Sequence, residues 1–310
     1  MGKSSSLRIV FMGTPPFAVA SLDALVKAGC NIVAVVTAAD KPAGRGMKLT
    51  QSAVKQYAVE QGLPVLQPEK LKDPQFIGQL QALKADLQVV VAFRMLPEIV
   101  WNMPAMGTVN LHGSLLPQYR GAAPINWAII NGDLETGVTT FRLKHEIDTG
   151  NILLQEKIAI GADMTAGELH DVMKETGAQL LLRTVEGLAE GTLTEQPQEE
   201  PASDTTHKHA PKIHTDTCRI NWSLPVEQVY NHIRGLSPYP AAFTIINEKM
   251  LKIFKAKKEV VFPAHTEGDH DTDGKTYLKF ACANGYIHLL EVQLEGKKKI
   301  GIEEFIRGFR

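Results

Sequence analysis

Short apolar runs rich in Val and Ile alternate with helical patterns through the first half of this 310-residue chain. The first such unit consists of LRIVFMG (7–13), a helical pattern at 21–29 and NIVAVVT (31–37). DLQVVVAF (86–93) and GTVNLH (107–112) continue the alternation. Uninterrupted apolar strands are typical of a parallel sheet with helices on both faces. The pattern therefore predicts an α/β fold with a doubly wound, mainly parallel, Rossmann-like sheet and ligands at the carboxyl ends of its strands.

The chain changes character after this region. GVTTFRL (137–143) and NILLQEKIAI (151–160) predict a hairpin-like pair, and a long helical pattern then ends at Gly191. The stretch that follows is acidic, contains proline and lacks periodicity, which indicates a linker. Short strand patterns separated by turn residues then predict a small β-barrel of the oligonucleotide-binding (OB-like) kind. The predicted organisation is an N-terminal domain at 1–194, a linker at 195–206 and a C-terminal OB-like domain at 207–310.

The formal net charge of -1 hides an uneven distribution along the chain. Residues 1–206 contain 17 Lys and Arg against 22 Asp and Glu, whereas residues 207–310 contain 16 against 12. A basic surface on a barrel suits a polyanionic partner, but the same surface is also compatible with simple solvation. The lysines that create the basic surface are Lys252, Lys255, Lys257, Lys258, Lys297, Lys298 and Lys299.

Composition excludes several classes of protein. With 44% apolar and 22% charged residues, the chain resembles an ordinary globular protein rather than a disordered or fibrous one. It has no apolar run of the roughly 18 residues that a membrane span needs. The three cysteines are too far apart for a disulfide framework or a CxxC metal site. We therefore expect a cytoplasmic protein without a bound metal, and nothing in the sequence demands more than a monomer.

Two polar residues share one face of a predicted strand that ends in a turn. Because side chains alternate along a strand, Asn110 and His112 point to the same side, and Gly113 permits the chain to turn after them. An amide that donates to a developing oxyanion and an imidazole that exchanges a proton suit acyl transfer. The spacing alone is equally compatible with a buried, hydrogen-bonded Asn and His that have no chemical role.

Asp148 lies in Asp148-Thr149-Gly150, a turn after the strand at 137–143. An Asp in such a turn commonly serves only to form the turn. The alternative is chemical, because a carboxylate beside His112 would raise the pKa of the imidazole and help to remove a proton from an attacking amine.

Several motifs, in order along the whole chain, resemble the methionyl-tRNA formyltransferases of the folate-dependent formyltransferase family. In the first half they are GTPPFA (13–18), KPAGRG (41–46), NLHGSLLPQYRGAAPINWAI (110–129) and DTGNIL (148–153). In the second half they are INWS (220–223), LSPYPAAF (236–243) and GKKKIGIEEFIRG (296–308). The resemblance implies that the N-terminal domain transfers a formyl group from 10-formyltetrahydrofolate to the α-amino group of methionine on initiator tRNA.

The resemblance also implies roles for individual residues. The catalytic set is Asn110, His112 and Asp148, with no metal ion and no covalent enzyme intermediate. The stretch at 92–97 is shorter than the family pattern and lacks its glycine, and it is expected to help form the folate pocket. The folate-binding residues implied are Ser114, Leu115, Leu116 and Pro117, together with Phe93, Arg94 and Met95.

For the tRNA, the resemblance implies two basic regions. Lys41, Arg45 and Lys48 are expected to follow the acceptor stem and to place its 3′ end over the active site. The C-terminal domain is expected to engage more of the tRNA backbone through Lys297, Lys298 and Lys299.

Two alternatives remain open at the level of the sequence. The same Asn, His and Asp could formylate a small amine, either glycinamide ribonucleotide or an aminosugar nucleotide. The additional C-terminal domain argues against the first, and KPAGRG with the lysine-rich end argues against the second. The other alternative is a catalytically inactive tRNA-binding protein, which the presence of all three polar residues disfavours.

Overall fold

The computed structural model describes residues 6–43, 48–198 and 207–308. The chain divides into two compact units whose segments interleave along the sequence. The first unit comprises Met1–Arg120, Gly137–Ile158 and Asp171–Lys208, and the second comprises Gly121–Thr136, Ala159–His170 and His209–Arg310. The predicted boundaries at residues 194 and 206 stay a prediction.

The first unit is built on a mostly parallel sheet. Through residue 160 the strands are β1 (Ile9–Gly13), β2 (Ile32–Val36), β3 (Lys41–Ala43), β4 (Lys48–Thr50), β5 (Val65–Leu66), β6 (Leu87–Val91), β7 (Thr108–His112), β8 (Arg120–Gly121), β9 (Glu135–Arg142) and β10 (Ile152–Ala159). The sheet has the order β10-β9-β7-β6-β1-β2-β5. Strands β5, β2, β1, β6 and β7 run parallel, and β9 adds to β7 in the antiparallel direction.

Helices connect these strands. They are α1 (Pro16–Lys27), α2 (Ala53–Glu60), α3 (Pro74–Ala82), α4 (Glu98–Trp101), α5 (Pro124–Ile130) and α6 (Ala166–Glu190). Three of them begin at capping side chains, because Ser52, Asp73 and Thr165 accept hydrogen bonds from the backbone N–H groups of Lys55, Gln75 and Glu168, respectively. In α1, α3 and α5 the first helical residue is a proline, whose fixed φ favours the start of a helix.

The strand order determines where a ligand-binding crevice opens. From β1 the chain winds outward through β2 and β5, and from β6 it winds in the other direction through β7. The direction reverses between β1 and β6, and in doubly wound sheets such a switch point opens a crevice at the carboxyl ends of the strands. Every residue of β1 and β6 is buried, as expected for strands covered on both faces.

The second unit contains an antiparallel sheet with α7 (Val226–Leu236) packed against it. That sheet is formed by β12 (Ala242–Ile246), β13 (Lys249–Val260), β14 (His270–Thr272), β15 (Leu278–Cys282), β16 (Gly285–Leu294) and β17 (Ile300–Gly301). The unit also contains the short strand β11 (His209–Ala210), which is not part of that sheet, and α8 (Ile302–Gly308). In this antiparallel sheet the strand order is β12-β13-β16-β15-β14, and β17 pairs with β16. Trp222 stacks on Phe280 within its core, with ring centroids 4.6 Å apart.

The predicted fold class is confirmed by both sheets, one doubly wound and one a small antiparallel half-barrel. The hairpin of β3 and β4 was not predicted, because its three-residue strands are too short to show an alternating pattern. None of the helices in the described ranges combines the length and the apolar character that a membrane span requires.

His232 is an unusual polar residue within α7. Its Nε2 atom is buried without a hydrogen-bond partner among the described residues. Burial lowers the pKa of His232 below its ordinary value of 6.5, although a hydrogen bond with the Cys218 backbone acts in the opposite direction. The folded protein therefore keeps this imidazole neutral at pH values where the unfolded chain binds a proton.

This difference predicts that His232 reduces stability as the pH falls below about 6.5. Between the two pKa values the unfolded state holds more protons, so the free energy of unfolding decreases with acidification, by at most about 1.4 kcal/mol per pH unit for one group. The loss of melting temperature between about pH 7.5 and 5.5 should be smaller in His232→Leu than in the unaltered protein. His209→Leu, at an exposed histidine, is the control, and equal losses in all three proteins would contradict the assignment.

Candidate active site

Strand β7 presents Asn110 and His112 at the carboxyl edge of the sheet. Val109 and Leu111 are buried on the opposite face of the strand, while Asn110 is half-buried. Within the described part of the chain, the side chain of Asn110 makes no hydrogen bond, so its amide is available to a bound molecule. The alternation of β7 therefore positions two polar groups on the same side of the sheet, as the sequence predicted.

His112 is oriented by a backbone carbonyl. Its Nε2 atom lies 2.9 Å from the carbonyl oxygen of Tyr119, and the edge of the imidazole faces the ring of Phe141. A carbonyl oxygen only accepts hydrogen bonds, so Nε2 carries the proton and Nδ1 is the nitrogen that can gain or lose one. The side chain is only 8% exposed, which limits competition from water.

Asp148 faces that second nitrogen. Its Oδ2 atom lies 3.8 Å from Nδ1 of His112, and the carboxylate is 12% exposed. This is ion-pair distance rather than hydrogen-bond distance, so the two groups interact through charge across a short gap. The structure therefore brings together His112 and Asp148, which are 36 positions apart in the sequence.

The turn that carries Asp148 is shaped by its neighbours. Asp148 has a φ of 55°, and the hydroxyl of Thr149 donates to the carbonyl of Glu146. Gly150 lies directly against strand β9, where a Cβ atom would be 1.5 Å from the carbonyl oxygen of Arg142. Only glycine permits this approach, so Gly150 determines how closely the turn packs on the sheet.

Gln198 holds the same turn from outside. Its Nε2 atom donates to the carbonyl oxygens of Asp148 and Gly150, each at 2.8 Å. Its Oε1 atom accepts hydrogen bonds from Nε and Nη2 of Arg120 at 3.0 and 2.6 Å. Gln198 was not among the predicted site residues, because it lies in the acidic, aperiodic stretch that the sequence indicates as a linker.

The segment Ser114–Pro117 is a tightly bonded loop. Ser114 is fully buried and its hydroxyl donates to the carbonyl of Gln118. The backbone N–H of Leu116 donates to the hydroxyl of Thr139, which in turn donates to the carbonyl of Ser114. Gln155 donates to the carbonyl of Leu116 and to the hydroxyl of Thr139. The polar groups of Ser114 and Leu116 are thus used to shape the loop.

The other two residues of this segment are half-buried, and Leu115 packs against the sheet. A Cβ atom on Gly137 would lie 2.5 Å from the side chain of Leu115 and 2.2 Å from the carbonyl of Glu156. Because Gly137 of β9 has no side chain, Leu115 can pack directly against that strand, and the Ser114–Pro117 loop stays close to it.

The loop after β6 lies next to β7. Val90 pairs with Asn110, so the residues that follow β6 leave the sheet beside the end of β7. Phe93 is half-buried and Met95 is 73% exposed. The guanidinium of Arg94 donates to the carbonyls of Pro68 and Glu69 and lies 5.6 Å from the ring centroid of Phe93. Arg94 thereby fastens this loop to the one after β5.

The loop that follows β2 and contains Lys41 is held at its ends by side-chain hydrogen bonds. The hydroxyls of Thr37 and Ser52 lie 2.7 Å apart, and Asp40 binds both Lys55 and Gln67. These bonds lower the pKa of the Asp40 carboxyl.

The residues predicted to bind tRNA in this loop are described only in part. Lys41 is exposed, Arg45 lies outside the described residues, and only the backbone of Lys48 is described.

The three predicted lysines of the second unit are exposed and follow β16. Lys299 forms an ion pair with Glu291 at 2.9 Å, and the backbone of Lys297 closes a turn onto Leu294. Among the described residues, no group of three or more His, Cys, Asp or Glu side chains has the arrangement of a metal site.

The chemistry available at the end of β7 is therefore proton transfer and oxyanion stabilisation. An amide donor, an imidazole with one free nitrogen and a nearby carboxylate are the groups that an acyl transfer to an amine requires. The site holds no side chain arranged as a covalent nucleophile with its own base among the described residues near His112.

Comparison with known proteins gives these residues a family context. A family model described as formyl transferase matches residues 7–185, and a model of the formyl transferase C-terminal domain matches residues 212–310. A methionyl-tRNA formyltransferase of Bacteroides fragilis is 53% identical over 99% of this chain and 96% of its own length. A methionyl-tRNA formyltransferase of Parabacteroides distasonis is 55% identical over 99% of this chain and 97% of its own length.

Solved structures with low sequence identity share the fold. HypX from Aquifex aeolicus in complex with tetrahydrofolic acid has a TM-score of 0.67 at 16% identity, over 98% of this chain and 47% of its own. The sugar 3N-formyl transferase WlaRD, determined with dTDP and 5-N-formyl-THF, has a TM-score of 0.67 at 20% identity, over 94% of this chain and 99% of its own.

Proposed function

We propose, because the chain belongs to the formyl transferase family, that it transfers the formyl group of 10-formyltetrahydrofolate to the α-amino group of methionyl initiator tRNA. Relatives that carry the name methionyl-tRNA formyltransferase are 48–55% identical to it over nearly its whole length. The observation that carries the proposal is the pairing of His112 with Asp148 at the end of β7, beside the unbonded amide of Asn110. These groups match the demands of formyl transfer to an amine.

The reaction forms a bond between the amine nitrogen and the formyl carbon and breaks the bond from that carbon to the folate nitrogen. The amine must be neutral to attack, because its lone pair forms the new bond. The amine nitrogen then loses a proton and the departing folate nitrogen gains one, so no net proton is consumed. In this mechanism the pair of His112 and Asp148 takes one proton from the amine and passes it to the departing folate nitrogen, and Asn110 donates a hydrogen bond to the tetrahedral oxyanion.

The tautomer of His112 determines which of its nitrogens takes part in proton transfer. Since Nε2 donates to the Tyr119 carbonyl, only Nδ1 exchanges protons. Asp148, 3.8 Å away, stabilises the imidazolium once Nδ1 is protonated. The protonated Nδ1 also adds a positive charge close to the oxyanion that Asn110 binds.

The formyl donor suits the loops beside β7. We assign contact with the folate to the half-buried or exposed apolar residues Phe93, Met95, Leu115 and Pro117. Arg94, Ser114 and Leu116 belong to the same loops and remain proposed folate-binding residues. Their polar groups also bond within the protein and so hold these loops in shape. Ring systems with polar edges fit sites of this kind, where apolar walls surround a few polar groups.

For the acceptor, we assign phosphate contacts to Lys41, Arg45 and Lys48 and to Lys297, Lys298 and Lys299. Lysine and arginine side chains neutralise phosphates without reading sequence, and the unpaired 3′ end of a tRNA can enter a site that a duplex cannot. We also propose a monomer in the cytoplasm. The three buried free cysteines, Cys30, Cys218 and Cys282, are compatible with a reducing compartment.

The choice of acceptor is tested by competition. Labelled formyl donor is offered with methionyl initiator tRNA, glycinamide ribonucleotide and an aminosugar nucleotide in parallel reactions. Label should appear on the tRNA, because the chain matches its relatives through both family models. Label on a small amine alone would exclude the proposed acceptor, and label on none of them would favour a protein that only binds tRNA.

Asp148→Asn should decrease kcat by about 10² to 10⁴-fold, because the amide cannot stabilise the imidazolium or accept a proton. The KM for tRNA should stay nearly constant, since Asp148 lies inside the site and not on the basic surface. Asp171→Asn, at an exposed carboxylate on α6, is the control. Steady-state kinetics that give the two variants the same kcat would refute the role of Asp148.

Replacing Lys41 and Arg45 by Ala should raise the KM for tRNA and flatten its dependence on salt. Each lost phosphate contact reduces the slope of log affinity against log salt by about 1. Lys27→Ala is the control, because Lys27 lies at the C-terminal end of α1, the end far from the carboxyl edge of β1. The measurement is KM between about 50 and 200 mM salt, and an unchanged slope would argue against phosphate contact.

A further inference from the structure

We propose that Gln198 and Arg120 are positioning residues that set the placement of Asp148 relative to His112. This inference rests on the proposed function, because Asp148 is one of the two groups that transfer the proton of the amine. Neither residue is assigned contact with a substrate. They act through the backbone of the Asp148 turn.

Gln198 makes four hydrogen bonds in two opposite directions. As a donor it binds two carbonyl oxygens of one turn, those of Asp148 and Gly150. As an acceptor it binds two nitrogens of Arg120, so its own side chain cannot rotate without breaking several bonds. A side-chain amide held at both ends acts as a rigid bracket between Arg120 and the turn.

Two adjacent residues therefore hold both members of the proposed proton-transfer pair. The carbonyl of Tyr119 binds Nε2 of His112, and the guanidinium of Arg120 binds the Asp148 turn through Gln198. Because Tyr119 and Arg120 are covalently linked, a shift of this dipeptide moves both groups together. The distance of 3.8 Å between Nδ1 of His112 and Oδ2 of Asp148 therefore depends on the position of this one dipeptide.

Gln198 is itself anchored by the residues before it. The backbones of Gln196 and Ile152 bond to each other at 2.7 and 2.9 Å, and Glu195 accepts hydrogen bonds from Arg142 and Asn151. Burial acts to raise the pKa of Glu195, but the bonds to Arg142 and Asn151 lower it overall, so this anchor stays ionised. Residues 195–198 thus form a strap along the start of β10.

The turn needs such support because its backbone conformation is costly. Asp148 has a positive φ, which an L-residue adopts only where surrounding contacts compensate. The direction of its carboxylate follows from that backbone, and a displacement of about 1 Å in a catalytic group can cost about 10²-fold in rate. Loss of the bracket should therefore change turnover and leave substrate binding nearly intact.

The test compares Gln198→Ala and Gln198→Glu with Gln196→Ala. Gln198→Glu keeps acceptors for Arg120 but cannot donate to the turn, whereas Gln196 is in the same strap and contributes its backbone only. Both Gln198 variants should lose about 10 to 100-fold in kcat while the KM values for folate and tRNA change less than about twofold. Gln196→Ala should retain the unaltered kcat.

Hydrogen–deuterium exchange provides a readout that does not depend on the reaction. Amides of residues 146–151 should exchange faster in both Gln198 variants than in Gln196→Ala, with the rest of the first unit unchanged. If Gln198→Ala does not fold, Gln198→Glu decides the question, because it retains the bonds from Arg120. A kcat equal to that of Gln196→Ala, or a rise in KM alone, would overturn the inference.

The same experiments separate this inference from the proposed function. If the unaltered protein does not formylate methionyl-tRNA, the proposed acceptor fails, and the exchange of residues 146–151 still reports whether the bracket holds the turn. If the unaltered protein formylates the tRNA but Gln198→Ala and Gln198→Glu match Gln196→Ala in both kcat and exchange, only the positioning role fails.

Discussion

The hydrogen bond between Nε2 of His112 and the carbonyl of Tyr119 is the contact on which the arrangement of the site depends. It selects the tautomer of the imidazole and turns Nδ1 toward Asp148. Without it, the ring could rotate and present either nitrogen to the carboxylate. The loop that carries Tyr119 is in turn fastened, because its backbone N–H donates to the carbonyl of Lys208 at 2.6 Å.

Unfavourable backbone conformations gather around this contact. Tyr119, Asp148 and Ala92 all have positive φ values without being glycine. Ala92 directly follows β6, Tyr119 directly precedes β8, and Asp148 lies in the connection between β9 and β10. Such conformations persist only when neighbouring groups restrain them, and here the restraint comes from side-chain bonds to backbone carbonyls by Gln198 and Arg94. The site thus combines a rigid sheet edge with loops held by polar contacts.

Prediction from the sequence succeeded where the signal is local. The Val-rich strands and the shared face of Asn110 and His112 follow from the alternation of side chains along one segment. It failed for Gln198, whose bonds reach Asp148 and Arg120 across 50 and 78 positions of the sequence. A glutamine in an acidic stretch has no periodicity to mark it. For Arg94 the sequence predicted a folate-binding residue, which stays a prediction, and only the structure shows that its guanidinium also bonds to the backbone of a neighbouring loop.

By itself, the sequence determined the architecture and the types of chemical group available. Hydrophobic periodicity predicted the parallel sheet of the first half, and strand alternation placed Asn110 and His112 on the same face. Only the tertiary structure decided that Asp148 faces Nδ1 of His112 and that Arg120 reaches its turn through Gln198. The physical reason is that secondary structure depends on neighbours a few residues apart. The spacing of catalytic groups depends on side-chain hydrogen bonds between segments that meet only when the chain has folded.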